Sequence, residues 1–454
     1  MPIALREINI QLPRVETNQP LVPHEIFEIR AKAAYDSAKV DWLIVYADRE
    51  HIGNMVFLTG FEPRFEEALL LLGSNGRRVL LTGNESESYA PLARLLGLTV
   101  LRSQTLSLMG QDRTAYPKIS DRLKDAGLNP GDTVGLVGWK YLDASEGDDP
   151  DLAHFVPDVY VRAIQRVIGK LGHIRNSTSV LMHAETGLRA KIDVHQIAAY
   201  EWSAATCSEA LWQIVTNTKE GDAEYDAVAR MRYTGQPINV HTMFASAPPG
   251  EPVIGLRSPT GRRLLRGDGV TTALGYWGAL SSRAGLLDTS NDAFLTKAKS
   301  YFEGLMVWYD TADIGVTGGE LFAVVTGQLA KGGLNSALNP GHLTDHEEWS
   351  NSPIRPDSKE KICSGMPFQV DVIPTPMPAG QALNCEDPVI FADNALRADL
   401  AKTYPEVFSR IRARRNFMID ELGITVKDSI LPLSSTPLCL PPFWLRPKLL
   451  LVND

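Results

Sequence analysis

The run RGDGVTTALGYWGALSSR, residues 266–283, decides the fold that the sequence predicts for the C-terminal half of the chain. Its short apolar and Thr-containing stretches are typical of strands. A long helical pattern follows at 291–312, and three further strand-like runs lie at 340–344, 367–374 and 382–391. Helices interleaved with strands that look antiparallel predict an α+β architecture for this half.

The N-terminal half follows a different pattern. A helical pattern covers 24–39, and the short apolar run WLIVYA, 42–47, is typical of a buried strand. The runs ALLLLG, 68–73, and RVLLTG, 78–83, repeat this form, and the GSNG turn between them indicates a hairpin. Because strands alternate with helices here, we predict an α/β domain with a mixed sheet.

These patterns predict two domains and a C-terminal tail. Residues 140–158 are polar and rich in Pro, Gly and Asp, which indicates a loop near a domain boundary. We therefore expect an N-terminal domain over 1–175, with residues 1–24 as an arm, and a second domain over 176–425. A Pro-rich tail, 426–454, is expected to pack on the second domain.

The composition excludes several classes of protein. The 454 residues include 45 Lys and Arg against 54 Asp and Glu, a formal net charge of −9. Since nucleic-acid binding requires a basic face, we expect no nucleic-acid partner. No uncharged apolar run reaches the ~18–20 residues that span a bilayer, and residues 1–20 lack the apolar core of a secretory signal. Four widely spaced cysteines without a CxxC pair favour reduced thiols and a cytoplasmic location.

Four runs of the C-terminal half resemble, in the same order, motifs of the creatinase/prolidase/aminopeptidase P family. They are 266–283, PGHLTDHEEW at 340–349, GMPFQVDVIP at 365–374 and NCEDPVIF at 384–391. In the N-terminal half, DREHIGNMVFLTGFEPRFEEALLLL, 48–72, is similar to a family segment in which an Asn precedes a YLTGF-like run. The resemblance implies an α/β N-terminal domain, an α+β pita-bread C-terminal catalytic domain, and a homodimer.

The resemblance also implies where a metal centre would lie. Metal-dependent members hold two divalent ions with two Asp, one His and two Glu, and use them for metal-assisted hydrolysis. The His position matches His342, and the two Glu positions match Asp371 and Glu386. The two Asp positions hold Ala273 and Leu280, whose apolar side chains cannot bind an ion. Three of the five positions therefore keep metal-compatible chemistry.

This pattern is more similar to the creatinase branch, which resembles the peptidases in fold but hydrolyses small-molecule C–N bonds without a metal. That branch also lacks the two Asp ligands. Its catalytic His would stand at Leu256, so the match is incomplete. A later family His would stand at Trp349, unless a local shift lets His346 take its role.

We predict that His342, Asp371 and Glu386 form the catalytic group. A histidine suits proton transfer near neutral pH. A carboxylate in the apolar strand around Asp371 is costly unless it is paired or used. The main hypothesis involves no cofactor and no metal. The alternative is that the same three residues hold one divalent ion such as Mn, Fe or Zn.

Five further residues are predicted to bind the substrate: Arg64, Tyr276, Trp277, His346 and Trp349. The aromatic residues could stack on a ligand or make cation–π contacts, although aromatic residues in such runs more often belong to a core. The arginine could equally lie on the surface. His346 could instead belong, with Glu347 and Glu348, to a solvated loop.

The sequence leaves three hypotheses for the function. The first is a metal-independent hydrolase that cleaves a C–N bond of a small amidine or amide, similar to creatinase. The second is a single-metal enzyme of the same fold, resembling an aminopeptidase or a dimethylsulfoniopropionate lyase. The third is a degenerate enzyme kept as a binding or scaffold protein. The retained carboxylates Asp371 and Glu386 argue against the third, because drift would readily replace buried charges with apolar residues.

Overall fold

A computed structural model describes residues 2–454, which form two compact units. The N-terminal unit is Val22–Ala190, and the C-terminal unit combines the residues up to Leu21 with Lys191–Asp454. The structure therefore places the boundary after Ala190 and not after residue 175. It also assigns residues 2–21, most of the predicted N-terminal arm, to the C-terminal unit.

Strands and helices alternate along both units. The strands are β1 (Ile3–Glu7), β2 (Trp42–Ala47), β3 (Ala68–Gly73), β4 (Arg78–Thr82), β5 (Thr99–Arg102), β6 (Thr133–Val137), β7 (His173–Asn176), β8 (Ile238–Ala247), β9 (Gly269–Tyr276), β10 (Ala279–Leu286), β11 (Asn335–Ser336), β12 (His342–Leu343), β13 (Pro367–Val370), β14 (Pro374–Thr375), β15 (Asn384–Phe391), β16 (Ile430–Pro432) and β17 (Leu449–Asn453). The helices are α1 (His24–Ala38), α2 (Gly53–Thr59), α3 (Asn84–Tyr89), α4 (Ile119–Ala126), α5 (Asp158–Ile168), α6 (Ser179–Met182), α7 (Val194–Asn217), α8 (Glu224–Ala229), α9 (Asp292–Thr311), α10 (Gly318–Lys331), α11 (Asn394–Thr403) and α12 (Pro405–Asp420). Within residues 2–454, no helix is long and apolar enough to cross a membrane.

The N-terminal unit contains a six-stranded mixed sheet in the order β5-β4-β3-β2-β6-β7. β2 pairs antiparallel with β3 and parallel with β6. All six residues of β2 are buried, because alternate side chains enter two different cores. Leu43 and Val45 pack in one core, while Trp42 and Ile44 pack in the other. The predicted α/β unit with a mixed sheet is thus observed.

The C-terminal unit is built on an antiparallel sheet in the order β12-β13-β15-β10-β9-β8, with β16 paired to β15. β9 and β10 form a hairpin within the run 266–283, whose stretches predict strands, and helix α7 packs against both strands. The long helices α9 and α10 pack on one another. This α+β arrangement is the one that the strand and helix patterns predict for this half.

One row across this sheet gathers the family positions. Ser282 of β10 pairs with Glu386 on one side and with Ala273 on the other. Val370 pairs with Asp387, so the next antiparallel step places Asp371 beside Glu386. Because directly opposed residues share a face of a sheet, Asp371, Glu386 and Ala273 lie on one face.

The two ends of the described chain meet in the C-terminal unit. β1 pairs antiparallel with β17 over five residues, from Ile3 with Asn453 to Glu7 with Leu449. The segment predicted to be an N-terminal arm therefore contains a strand, whose partner comes from the Pro-rich tail. A pairing across almost the whole chain length has no local sequence signal, which explains why the pattern of residues 1–24 did not predict it.

Candidate active site

The structure brings His342, Asp371 and Glu386 together from three neighbouring strands. His342 begins β12, Asp371 follows β13, and Glu386 lies in β15. One ligand atom of each residue lies within 4.8 Å of the other two. The residues are 0%, 4% and 5% exposed, respectively, so they form one closed cluster of ionisable groups.

Each member of the cluster has a buried polar atom without a hydrogen-bond partner in the described part of the chain. These atoms are His342 Nε2, Asp371 Oδ1 and Glu386 Oε1. Buried polar atoms are nearly always paired, and leaving one unpaired costs about 1–3 kcal/mol. The three converging residues thus each carry a buried polar atom without a hydrogen bond, and a catalytic or metal-binding role for them stays a prediction.

The cluster shifts the pKa of each of its members. Burial raises the pKa of Asp371 to about 7, although His342 acts against this shift and Glu348 adds to it. Burial, with Asp371 and Glu348 nearby, raises the pKa of Glu386 well above its ordinary value. Burial opposes the charged form of His342, but Glu348 and Asp371 outweigh it and raise its pKa. The cluster therefore retains protons that isolated side chains would release.

The two positions without a ligand lie on the same sheet face. Ala273 opposes Ser282, and Leu280 opposes Gly275 in the β9–β10 hairpin. Leu280 is two residues from Ser282 in β10, so both point to the same side. At these two positions the side chains are a methyl and an isobutyl group, which offer no ligand atom.

Glu348 is the residue that the sequence prediction missed. Its Oε1 lies 3.1 Å from His342 Nε2, while Glu386 Oε1 is 4.0 Å from the same atom. The next residue, Trp349, stacks on the His342 ring with centroids 4.0 Å apart and planes inclined by 17°. The charged run after His342 had suggested a solvated loop, and no spacing signal distinguishes Glu348 from Glu347.

His346 lies in a second group of contacts. Its Nδ1 is 2.8 Å from Asp345 Oδ1, and its ring meets Trp277 edge-on at 5.5 Å and Tyr200 at 6.0 Å. The amide of Gln196 also donates to Asp345, over 3.0 Å. His346 Nδ1 thus lies close to a buried carboxylate but makes no hydrogen bond within residues 2–454. His346 is not among the three residues whose ligand atoms converge.

Tyr276 is buried at the end of β9, with its ring 6.3 Å from that of Tyr233. This placement agrees with the core alternative considered for the aromatic residues. Leu256, the position of the creatinase-branch histidine, is 78% exposed, and its carbonyl accepts a hydrogen bond from His241 Nε2 at 3.2 Å.

Arg64 belongs to the N-terminal unit. Its guanidinium donates to Tyr89 Oη over 2.7 Å, lies 4.6 Å from the centroid of that ring, and is 3.4 Å from Glu62. The residue has a φ of 60°, an uncommon backbone conformation for a side chain of this size. A substrate-binding role for Arg64 remains a prediction.

Solved structures with the same architecture are found at low sequence identity. Prolidase from Pyrococcus horikoshii superposes with a TM-score of 0.62 at 15% identity, covering 80% of this chain and 95% of the prolidase. X-Pro aminopeptidase from Thermotoga maritima gives 0.62 at 14% identity, covering 92% and 98%. Dipeptidase PepE from Mycobacterium ulcerans gives 0.61 at 16% identity, covering 82% and 95%. The chain has the pita-bread fold.

This confirms the fold predicted from the order of the four motifs. No protein-family model matches the chain, and no curated protein matches it in sequence. At these identities the likeness establishes the fold alone. The creatinase-like branch, metal independence, the homodimer and the cytoplasmic location stay predictions.

Proposed function

We propose that this chain is a hydrolase that cleaves a C–N bond, with His342, Asp371 and Glu386 as the protein part of a single-metal centre. The observation that carries the proposal is the group of three buried residues whose ligand atoms lie within 4.8 Å of one another, each residue having a polar atom without a hydrogen bond. The fold supports the class of reaction, because structures that share it are named as a prolidase, a dipeptidase and an X-Pro aminopeptidase.

The donor set fits one ion and does not fit two. An imidazole and two carboxylates are suitable ligands for Zn, Mn or Fe. The 4.0 Å between His342 Nε2 and Glu386 Oε1 is too long for a hydrogen bond. Ligand atoms that each lie ~2.0–2.2 Å from one ion can be about 3–4.4 Å apart. A second ion would need ligands where the chain has Ala273 and Leu280.

The chain's own residues would prepare this centre for hydrolysis. A bound divalent ion supplies Lewis acidity and lowers the pKa of a coordinated water. Burial of His342, Asp371 and Glu386 strengthens every charge interaction in the centre, because bulk water is excluded. The stacked ring of Trp349 would fix the plane of the His342 imidazole, whose Nε2 lies 4.0 Å from Glu386 Oε1.

Elemental analysis of protein purified without chelator tests the proposal. We expect about one divalent ion per chain and turnover of a panel of dipeptides, small amides and amidines. The variant His342→Ala should lose both the bound ion and the turnover. A matched control is His195→Ala, whose imidazole contacts Tyr404 Oη at 2.8 Å and takes no part in the cluster.

Results other than one ion per chain with turnover would contradict part of the proposal. Two ions per chain would contradict the single-metal centre. Full turnover without any ion would support the second candidate described next. Ligand binding without turnover over the whole panel would contradict hydrolysis and favour a binding protein.

The second candidate is the metal-independent hydrolase of a small amide or amidine. It is favoured by Ala273 and Leu280, and by the proton-retaining character of the cluster. With its raised pKa, His342 would donate a proton to the leaving nitrogen. Asp371, with a pKa of about 7, would accept a proton from the attacking water. Glu386 would orient the substrate.

A further inference from the structure

Glu348 is a partly exposed carboxylate beside the buried imidazole of His342. Its Oε1 lies 3.1 Å from His342 Nε2, and its side chain is 26% exposed, whereas the His342 side chain is fully buried. Glu348 is not among the three residues whose ligand atoms converge. It therefore lies next to the proposed centre, on a side that solvent reaches, and is not a ligand of the proposed ion.

Glu348 has no lysine or arginine partner within residues 2–454, and its one close ionisable contact is His342. Asp268 shows the usual arrangement of a carboxylate that the fold shields from solvent, because Arg262 lies 2.6 Å from it. A carboxylate without a cationic side chain beside it is complementary to a positively charged ligand. Glu348 thus retains acceptor capacity that no side chain of the described chain uses.

The ring of Trp349 provides an aromatic surface at the same place. It stacks on the His342 ring with centroids 4.0 Å apart and planes inclined by 17°, yet the residue is 40% exposed. In the described part of the chain, no other ring stacks on Trp349 and no lysine or arginine lies over it. Because a tryptophan ring attracts a cation that lies within ~6 Å of its centroid, the exposed part of this ring is suited to a cationic group.

The loop that carries both residues is held in place at its ends. Leu343 N donates to Asn351 O over 2.7 Å, and Ser350 N donates to Leu343 O over 3.0 Å. These bonds place Glu348 and Trp349 on either side of one fixed turn next to His342. The two side chains are therefore positioned before a ligand binds, which reduces the entropy that binding would cost.

Charge favours a cation beside Glu348 in either form of the proposed centre. A divalent ion would balance the charges of Asp371 and Glu386, and the charge of Glu348 would stay uncompensated. Without an ion, the imidazole of His342 is the only cationic group among these residues. A site of net negative charge attracts positively charged ligands and repels anions.

We propose that Glu348 and Trp349 bind a positively charged nitrogen group of the substrate, an ammonium or an amidinium, close to the bond that is cleaved. The inference rests on the hydrolase of the proposed function and names its substrate class. Glu348 accepts hydrogen bonds from the N–H groups of the cation, and the exposed part of the Trp349 ring contacts its charge. Neutral analogues of the same shape are bound more weakly.

Calorimetric titration of the purified protein with benzamidine and with benzamide tests the assignment without any assay of turnover. The two probes have nearly the same shape, but only benzamidine is a cation at neutral pH. Wild type should bind benzamidine about tenfold more tightly than benzamide. Glu348→Gln, which keeps the size of the side chain, should lose most of this preference, and Glu348→Asp, which keeps the charge, should retain more of it. Glu347→Gln removes the neighbouring charge and is the matched control, which should keep the preference of wild type.

The outcomes separate this assignment from the proposed function. Equal affinities of wild type for the two probes, no binding of benzamidine, or an unchanged preference in Glu348→Gln would each overturn the cation site. An equal loss in Glu347→Gln would show a general effect of charge on the loop and would also overturn it. If Glu348→Gln alone loses the preference but the protein turns over none of the panel, the cation site stands and the hydrolase is wrong. Thermal unfolding of each variant checks that the fold is kept.

Discussion

At the residue scale, the cluster is defined by polar atoms that the fold buries without pairing. Each unpaired buried atom costs about 1–3 kcal/mol, in a molecule whose net stability is typically ~5–15 kcal/mol. His342, Asp371 and Glu386 each carry one such atom. Apolar residues would remove this cost, as Ala273 and Leu280 do on the same sheet face. In the proposed function, a bound ion would offset this cost.

Glu224 shows the contrasting case of a buried carboxylate that is fully paired. Its oxygens accept hydrogen bonds from Ser246 Oγ at 2.6 Å and Thr260 Oγ1 at 2.7 Å, and Arg257 lies 2.6 Å away. Burial alone would raise the pKa of Glu224, but Arg257 and the two hydroxyl groups outweigh it and lower the pKa. The residue thus ties β8 to the loop after Leu256.

This pairing predicts a pH-dependent loss of stability. Because the folded pKa of Glu224 lies below its unfolded value, its stabilising contribution is present above the unfolded value of ~4.3. It is lost as the pH falls through the folded value. Glu224→Gln should therefore lower the free energy of unfolding by about 2–4 kcal/mol at pH 7, and the difference from wild type should shrink toward acid pH.

Urea unfolding at neutral and acid pH measures both quantities. The exposed Glu220, which lies four residues earlier, provides the control Glu220→Gln, and we expect a change within about 0.5 kcal/mol. A difference between wild type and Glu224→Gln that stayed constant across this pH range would show that the charge of Glu224 is not what stabilises the loop.

At the element scale, the sequence predicts strands and helices better than it predicts where they break. The buried runs that form β2 and β3 were placed correctly, because short apolar stretches between turn residues leave few alternatives. The pattern from about residue 394 to residue 422 predicts one helix, but the structure divides it into α11 and α12 at Pro405, whose ring is compatible only with the first turn of a helix. The run 161–175 predicts a helix, but its last three residues lie in β7, because parallel pairing with β6 overrides local propensity.

Some residues of the candidate site could likewise be predicted from the sequence, and others could not. His342, Asp371 and Glu386 could be predicted because each lies in a motif whose order along the chain is informative. Glu348 could not be predicted, because its side chain reaches His342 only through the turn that the loop makes. The sequence shows that Leu256 stands where the creatinase branch has its catalytic histidine. It does not predict the contact of the Leu256 carbonyl with His241, because His241 lies in a bulged part of β8.

Arg283 joins two of the elements that set the register of the cluster. It is fully buried in β10 and donates to Asp387 of β15 over 2.9 Å and to the carbonyl of Glu386 over 3.1 Å. It also donates to the carbonyls of Thr436 and Cys439, which ties the tail to the sheet. A planar guanidinium serves these several directions, whereas an ammonium group cannot.

Arg283→Lys should therefore lower the free energy of unfolding of the C-terminal unit by about 3–5 kcal/mol, the cost of breaking a buried charged pair. Urea unfolding of wild type and Arg283→Lys measures this difference in the free energy of unfolding. Arg266→Lys is the control, because the Arg266–Asp288 pair has an arginine side chain 56% exposed and should contribute about 1 kcal/mol or less. Equal losses in both variants would contradict a special role of the buried guanidinium.

At the scale of the whole molecule, the net charge of −9 says less than the distribution of carboxylates. A net negative charge argues against a nucleic-acid partner, because phosphate groups bind to basic surfaces. The placement of Asp371, Glu386 and Glu348 around one histidine carries the functional argument, together with the lack of carboxylates at Ala273 and Leu280. A homodimer remains a prediction from the family resemblance, and light scattering of the purified protein would measure it.

The division of the chain predicts that Val22–Ala190 folds on its own, because it contains a complete six-stranded sheet and two apolar cores. The fragment 22–175, which ends at the boundary predicted from the sequence, should be less stable by several kcal/mol. It lacks Leu181 and Met182, which are 0% and 5% exposed in one core, and burying each such side chain contributes about 1.5–3 kcal/mol. It also lacks Thr178, whose Oγ1 accepts from Gly138 N over 3.0 Å. Urea unfolding and amide hydrogen exchange of both fragments compare the two boundaries, and equal stability would mean that α6 contributes nothing to the core of this unit.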